Sequence, residues 1–224
     1  SDAVVAALHL LAARDPQVLA TVAVSLQVAL VATLLATLLG APLGYLVGAT
    51  SFRGRRGVET LLNTATALPT VLVGLLVYAL LSRRGPLGEW ELLYSRTAMI
   101  IGETVLIAPL MATLTMALVG GADPRIRETA LTLGATRTGA AWTVLSELRR
   151  GLLAAVATGF GRLISELGVA LMVGGNIKDA TRTMTTAIAL ETGKGEFALA
   201  LALGFILLAA ALVVNVSAAL VASR

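Results

Sequence analysis

The chain has 224 residues, of which 57% are apolar and only 13% charged, and its mean hydropathy is +0.89. Such values exclude a soluble globular domain and describe an integral membrane protein. There is no cysteine, which rules out disulfides, thiolate metal sites and cysteine nucleophiles; the net charge of +4 sits in loops between apolar stretches, where it reports membrane topology and not nucleic-acid binding.

Residues 1–15 place Val4, Val5, Leu8, Leu11 and Ala12 at helical spacing between Asp2 and Arg14. This run is too short to cross a bilayer and no basic region precedes it, so an interfacial helix is expected rather than a signal peptide. His9 is read as an interfacial residue, not a metal ligand. The chain opens on Ser1 instead of Met, which implies a processed or trimmed start.

Residues 16–224 are read as one transmembrane domain. No charge occurs from Pro16 to Phe52, more than the roughly 20 residues one crossing needs. The first helix, about 18–49, is therefore expected to tilt or protrude, or to break near Gly40, Pro42 and Gly44. Four further single crossings are predicted at about 60–82, 97–121, 151–175 and 198–222, which makes five spans and an all-α fold.

Between the third and fourth spans runs the one long polar stretch, 123–150. Asp123 suits a helix N-cap and Pro124 the first helical position, so a helix starts there. Ile126, Ala130 and Leu133 recur at helical spacing, ringed by Arg125, Arg127 and Arg137, and Gly134 permits a turn. By spacing alone, this helix either docks into a partner or lies on the membrane surface.

Several residues inside the spans need a reason to be there. Pro69 and Pro109 imply bends, either for packing or beside a pathway. Arg162 and Glu166 are four apart, which predicts an ion pair on one helix face; alternatively Arg162 faces a pathway and attracts an anion. Glu103 is expected to be protonated or to meet a cation from elsewhere. The connection 174–194 is rich in glycine and hydroxyls: Gly174-Gly175-Asn176 forms a potential nest of N–H groups, with Lys178, Thr181, Arg182, Thr183, Thr185 and Thr186 adding donors and positive charge. Donors in such excess suit a tetrahedral oxyanion, although a solvated loop has a similar composition.

The order E-x-A-x-x-x-G, carried by Glu128, Thr129, Ala130 and Gly134, resembles the EAA loop of bacterial ABC importer permeases. LSRRGPLG at 81–88, FGRLISELG in the fourth span, and MVGGNI, TR and TTAIALET after it resemble tungstate importer permeases and their molybdate and sulfate relatives. The likeness covers nearly the whole chain. Thr129 departs from the family pattern, as do Val144, Ser146 and Glu147 where Ile, Leu and Pro are usual.

The resemblance implies a type I (MetI-like) permease fold in the bacterial inner membrane. It implies a homodimer with two ATP-binding subunits coupled through Glu128, Thr129, Ala130, Leu133, Gly134 and Ala135, and a periplasmic or lipid-anchored binding protein. It also implies a pathway past Pro69, Pro109, Arg162, Glu166, Asn176, Arg182 and Thr185. Tungstate is the first-choice cargo, with molybdate or sulfate as alternatives.

A phosphate-cradling G-x-x-x-x-G-K-[ST] loop is missing: Gly193-Lys194-Gly195 lacks the following hydroxyl residue, and position 188 is Ile. No cofactor or catalytic constellation is expected in this chain, and ATP-Mg falls to a partner. With the 123–150 stretch cytoplasmic, the inner segments hold nine cations (Arg53, Arg55, Arg56, Arg125, Arg127, Arg137, Arg149, Arg150, Arg224) and the outer ones seven (Arg14, Arg83, Arg84, Arg96, Lys178, Arg182, Lys194). This places the N-terminus outside and the C-terminus inside. The competing classes are a gradient-driven secondary transporter, which should carry inverted repeats or more intramembrane acids than Glu103 and Glu166, and a non-transporting scaffold that recruits an ATPase.

Overall fold

The structure is a computed structural model and describes residues 15–223. The expected interfacial helix at 1–15, apart from Asp15, lies outside the described residues, as does Arg224. Every regular element among the described residues is helical.

Helix α1, Pro16–Ala49, begins at a cap that sequence reading did not single out. Asp15 Oδ1 accepts from the N–H groups of Gln17 at 2.7 Å and Val18 at 3.2 Å, and Pro16 takes the first helical position. Its 34 residues correspond to about 51 Å at 1.5 Å per residue, well beyond a hydrocarbon core of about 30 Å. The helix runs unbroken through Gly40, Pro42 and Gly44, so its surplus length is taken up by tilt or protrusion, not by a break. Those glycines serve packing instead. A Cβ on Gly40 would lie 2.7 Å from Ala108 O and one on Gly48 2.8 Å from Met116 O, so only glycine lets the two backbones come this close.

The partner in that contact is α4, Arg96–Gly120, the central helix of the bundle. It also packs against α2 (Arg55–Thr66), α3 (Thr70–Leu81), α7 (Arg149–Ile164) and α8 (Gly168–Gly174). The core gathers where these meet, around Val28, Met99, Ile107, Met111, Val169, Val173 and Met184. Helix α10, Phe197–Ser223, closes the bundle against α7 and α9 (Met184–Lys194), with its outer leucines exposed.

Two predicted single crossings are in fact broken. The stretch 60–82 is two helices, α2 and α3, meeting at 96°. Pro69 has no N–H to donate and disfavours helical backbone at Leu68, so the helix stops and restarts, with Pro69 as the N-cap of α3. The stretch 151–175 divides into α7 and α8, bent by 58° around Ser165–Leu167. Three helices, α1, α4 and α10, are long and apolar enough to cross a membrane, and the total is five if each bent pair is one span. The five spans read from the sequence correspond to these three helices and two bent pairs.

Candidate functional site

The two breaks adjoin each other. Gly168, the first residue of α8, packs on the first turn of α3: a Cβ there would sit 2.5 Å from Thr70 Oγ1 and 3.0 Å from Val71 N. One turn further on, Gly74 faces Met172 and Val169. Helix α9 begins beside them, because Thr185 Oγ1 donates to Glu166 O at 2.7 Å. Thr183 and Thr186 form a reciprocal capping box, and Met184 N donates to Ser25 Oγ at 2.7 Å, tying this turn to α1. Three helix starts thus converge between the broken spans, and helix N-termini carry partial positive charge. Half-helix starts of this kind are how membrane proteins present backbone dipoles to anionic groups.

Glu166 is the hinge of the arrangement. It is 7% exposed, and its Oε1 accepts from Gly168 N at 2.7 Å and Val169 N at 3.2 Å, capping α8. The predicted ion pair with Arg162 is not formed. Helix α7 ends at Ile164, so the four-residue spacing no longer puts the two side chains on one face, and the carboxylate is occupied by backbone donors. Arg162 lies exposed in the last turn of α7, without an ion pair among the described residues.

The connection after α8 is held by its own hydrogen bonds. Asn176 Oδ1 accepts from Arg182 Nε at 3.1 Å, Asn176 Nδ2 donates to Thr186 O at 3.4 Å, and Ile177 N donates to Thr181 Oγ1 at 3.0 Å. The surplus of free donors read from composition is therefore largely spent inside the loop. What the structure gathers is Pro69, Glu166, Asn176, Arg182 and Thr185, linked through Thr70–Gly168 and the α9 cap. Pro109 stands apart within unbroken α4, seven residues beyond the Gly102 that packs on Val169.

Sequence reasoning missed Ser25 and the cap at Glu166, whose signal was a carboxylate two residues before Gly168. It also missed Arg96, which staples α4 to the 174–184 connection through Nε to Ala180 O at 2.8 Å, and to α1 through Nη1 to Gln27 Oε1 at 2.9 Å. Glu103, on α4, is 2% exposed and its Oε2 has no hydrogen-bond partner; the expected cation is absent among the described residues.

At the other end of the bundle lies the polar hairpin. Helix α5, Pro124–Thr132, starts as predicted, with Asp123 accepting from Arg125 N at 2.9 Å. It ends in a tight turn: Gly134, at φ +90°, lets Ala135 N reach Ala130 O at 3.0 Å. Helix α6, Arg137–Glu147, folds back on α5, and a single residue, Leu148, separates it from α7. Thr129, Ala130, Leu133, Gly134 and Ala135 line a hollow of about 730 Å³ with Arg125 and Ile126. Leu133 is 83% exposed and Trp142 74%, an apolar display without cover among the described residues. Glu128 points elsewhere, into a cleft of about 190 Å³ shared with Tyr45, Gly48 and Val119 at the ends of α1 and α4.

Residues 40–224 match the family described as "Binding-protein-dependent transport system inner membrane component". The chain belongs to this family. Among its relatives is the tungstate uptake system permease protein TupB of Peptoclostridium acidaminophilum, 40% identical over 210 residues, 94% of this chain and 92% of that one. The sulfate transport system permease protein CysT of Escherichia coli is 29% identical over 221 residues, 94% and 78% of the two chains. The fold agrees with a crystal structure of a bacterial ABC transporter involved in the import of the acidic polysaccharide alginate, at a TM-score of 0.74 and 19% identity over 94% of this chain and 80% of that chain. The permease is thus a multi-pass, inner-membrane subunit of an ABC importer, as its EAA-like order implied.

Proposed function

We propose that this permease carries a tetrahedral oxyanion, tungstate first, inward through a path that passes the three converging helix starts. The observation that carries the cargo assignment is the 40% identity to a tungstate permease across 94% of this chain. A molybdate or sulfate cargo is the alternative, and the sulfate relative at 29% identity supports it less strongly. Positive backbone dipoles at the starts of α3 and α9, with Arg182 and Arg162 at the margins, favour an anion over a neutral or cationic cargo.

Two copies assemble with two ATP-binding subunits and an external binding protein, with the N-terminus outside and the C-terminus inside. ATP-Mg is bound and hydrolysed by the partner, and this chain supplies no catalytic residue. Each ATP-binding subunit seats on the hollow beside Leu133, Gly134 and Ala135, while Glu128 roots the hairpin against α1 and α4. Only Leu148 lies between α6 and α7, so a displacement of the hairpin passes along α7 to the break at Ser165–Leu167 and the α8 start. Closure of the ATP-binding subunits draws the two hairpins together and turns the path outward; hydrolysis resets it.

The test is reconstitution of all partners in vesicles with measurement of ATP-dependent tungstate accumulation, with molybdate and sulfate as competitors. Uptake is expected to be saturable, to require ATP and to fail in Ala130→Asp. Uptake driven by an ion gradient without ATP, or full activity in both Ala130→Asp and Glu128→Lys, would remove the coupling mechanism. For orientation, Arg137→Cys in this cysteine-free chain is expected to react only with a permeant thiol reagent; labelling by an impermeant reagent from outside would invert the topology.

A further inference from the structure

At the C-terminal end of α3, away from the helix-start junction, the connection 82–95 folds back and encloses a hollow of about 690 Å³ lined by Tyr78, Leu81, Arg83, Arg84, Glu91 and Tyr94. The backbone around it is tightly built. A Cβ on Gly85 would lie 2.5 Å from Leu80 O and one on Gly88 2.9 Å from Arg83 Cα, and Leu87 N donates to Leu80 O at 3.0 Å. Glu91 and Tyr94 both adopt left-handed backbone, at φ 47° and 62°, a conformation that side-chain-bearing residues rarely take. Tyr94 is held there by its N–H to Val173 O at 2.9 Å and by an edge-on contact with Tyr78 at 6.4 Å between ring centroids.

Arg83 and Arg84 are exposed on this hollow and form neither an ion pair nor a hydrogen bond among the described residues. Placement after a helix C-terminus accounts for their sign but not for the cavity between them. The lining carries two guanidiniums against one carboxylate, beside apolar and aromatic walls. Trp90, 66% exposed, stands next to it, as amphipathic aromatics do where an apolar helix leaves the membrane.

We propose that this hollow is a binding site for a phosphate-class group, a tetrahedral oxyanion held by the forks of Arg83 and Arg84. Guanidinium pairs such a group in two parallel hydrogen bonds, and the apolar walls accept whatever body it carries. Two sources supply that chemistry at this depth: the phosphodiester of a membrane lipid, and a free oxyanion from solution.

The assembled transporter is placed in nanodiscs of phosphatidylglycerol and phosphatidylcholine, and lipid retained after mild delipidation is counted by native mass spectrometry, with inorganic phosphate and tungstate as competitors. The variants are Arg83→Gln with Arg84→Gln, the lysine pair at the same positions, and a charge-matched Arg53→Gln with Arg56→Gln control. Retention of phosphatidylglycerol is expected to fall about tenfold or more in the glutamine pair, given the strength of charge-assisted hydrogen bonds. It should recover partly with lysine and hold in the control, all at an unchanged unfolding temperature. Retention that free phosphate and tungstate leave untouched assigns the lipid. If retention is instead absent, and phosphate or tungstate binding itself weakens in the glutamine pair alone, the free oxyanion is the ligand. Equal behaviour of the glutamine pair and the control towards lipid and free anions alike overturns the site.

Discussion

Replacing Glu166 by alanine separates what the structure shows from what residue spacing suggests. The carboxylate accepts two backbone hydrogen bonds, at 2.7 and 3.2 Å, in a site where the residue is 7% exposed. A hydrogen bond to a charged group contributes about 1.5–3 kcal/mol, so losing both costs about 3–6 kcal/mol. Helix α8, only seven residues long, has little propensity of its own to offset that loss. At roughly 2–4 °C per kcal/mol for a chain of this size, the apparent unfolding temperature of the purified permease in detergent should fall on the order of 10 °C. Glu166→Gln keeps an acceptor oxygen and should lose about 1–2 kcal/mol. Arg162→Leu should not lower the unfolding temperature, because Arg162 has no ion-pair partner among the described residues. In a double-mutant cycle the two substitutions should couple by less than about 0.5 kcal/mol. A coupling of about 3 kcal/mol or more is what a buried ion pair would produce. Finding it would refute the capping role.

Gly44→Leu should destabilise by about 1–3 kcal/mol or more, since its Cβ would already lie 2.8 Å from Thr115 Cβ and 2.9 Å from Met116 N; Gly57→Ala, with nothing within 4 Å, should be neutral or stabilising by up to about 1 kcal/mol. Equal shifts in unfolding temperature for the two would contradict the α1–α4 contact. Leu133→Asp should leave that temperature unchanged, because the side chain is 83% exposed, yet abolish co-purification with the ATP-binding subunit; retained co-purification would move docking off this surface. Glu103→Met replaces a buried polar group lacking a partner on Oε2 with an apolar side chain of similar volume. It should stabilise by about 1–3 kcal/mol, and a lowered unfolding temperature would show that the carboxyl has a partner in the assembly.

Much of this architecture is local and was legible in the residues. Asp123 before Pro124 caps a helix where the sequence placed one, because a cap needs only a short acceptor side chain next to free N–H groups, and Asp15 before Pro16 repeats the arrangement at a position sequence reading passed over. The apolar runs declared the spans, because lipid offers no partner for a charge or an open backbone group. The polar hairpin was legible through its turn: Gly134 is the residue that accepts φ +90° without strain. The clustering of Glu166, Asn176, Arg182 and Thr185 was partly legible, since hydrogen bonds do link this part of the chain, but their partners were misjudged. Composition counts donors without showing which acceptors the fold brings to them.

By itself, the sequence settled the all-helical membrane class, the apolar stretches that form the long helices and bent pairs, and the start of the polar hairpin at Asp123, all consequences of each segment's own solvation and hydrogen bonding. Tertiary structure decided which proline bends and which breaks: Pro42 and Pro109 ride inside continuous helices, while Pro69 ends one and starts another at 96°. It likewise turned Gly40 and Gly44 from an expected break into a helix contact, and Glu166 from half of an ion pair into a cap. In each case the outcome depends on whether a neighbouring helix supplies packing or a hydrogen-bond partner at that position, and that neighbour is distant in the chain.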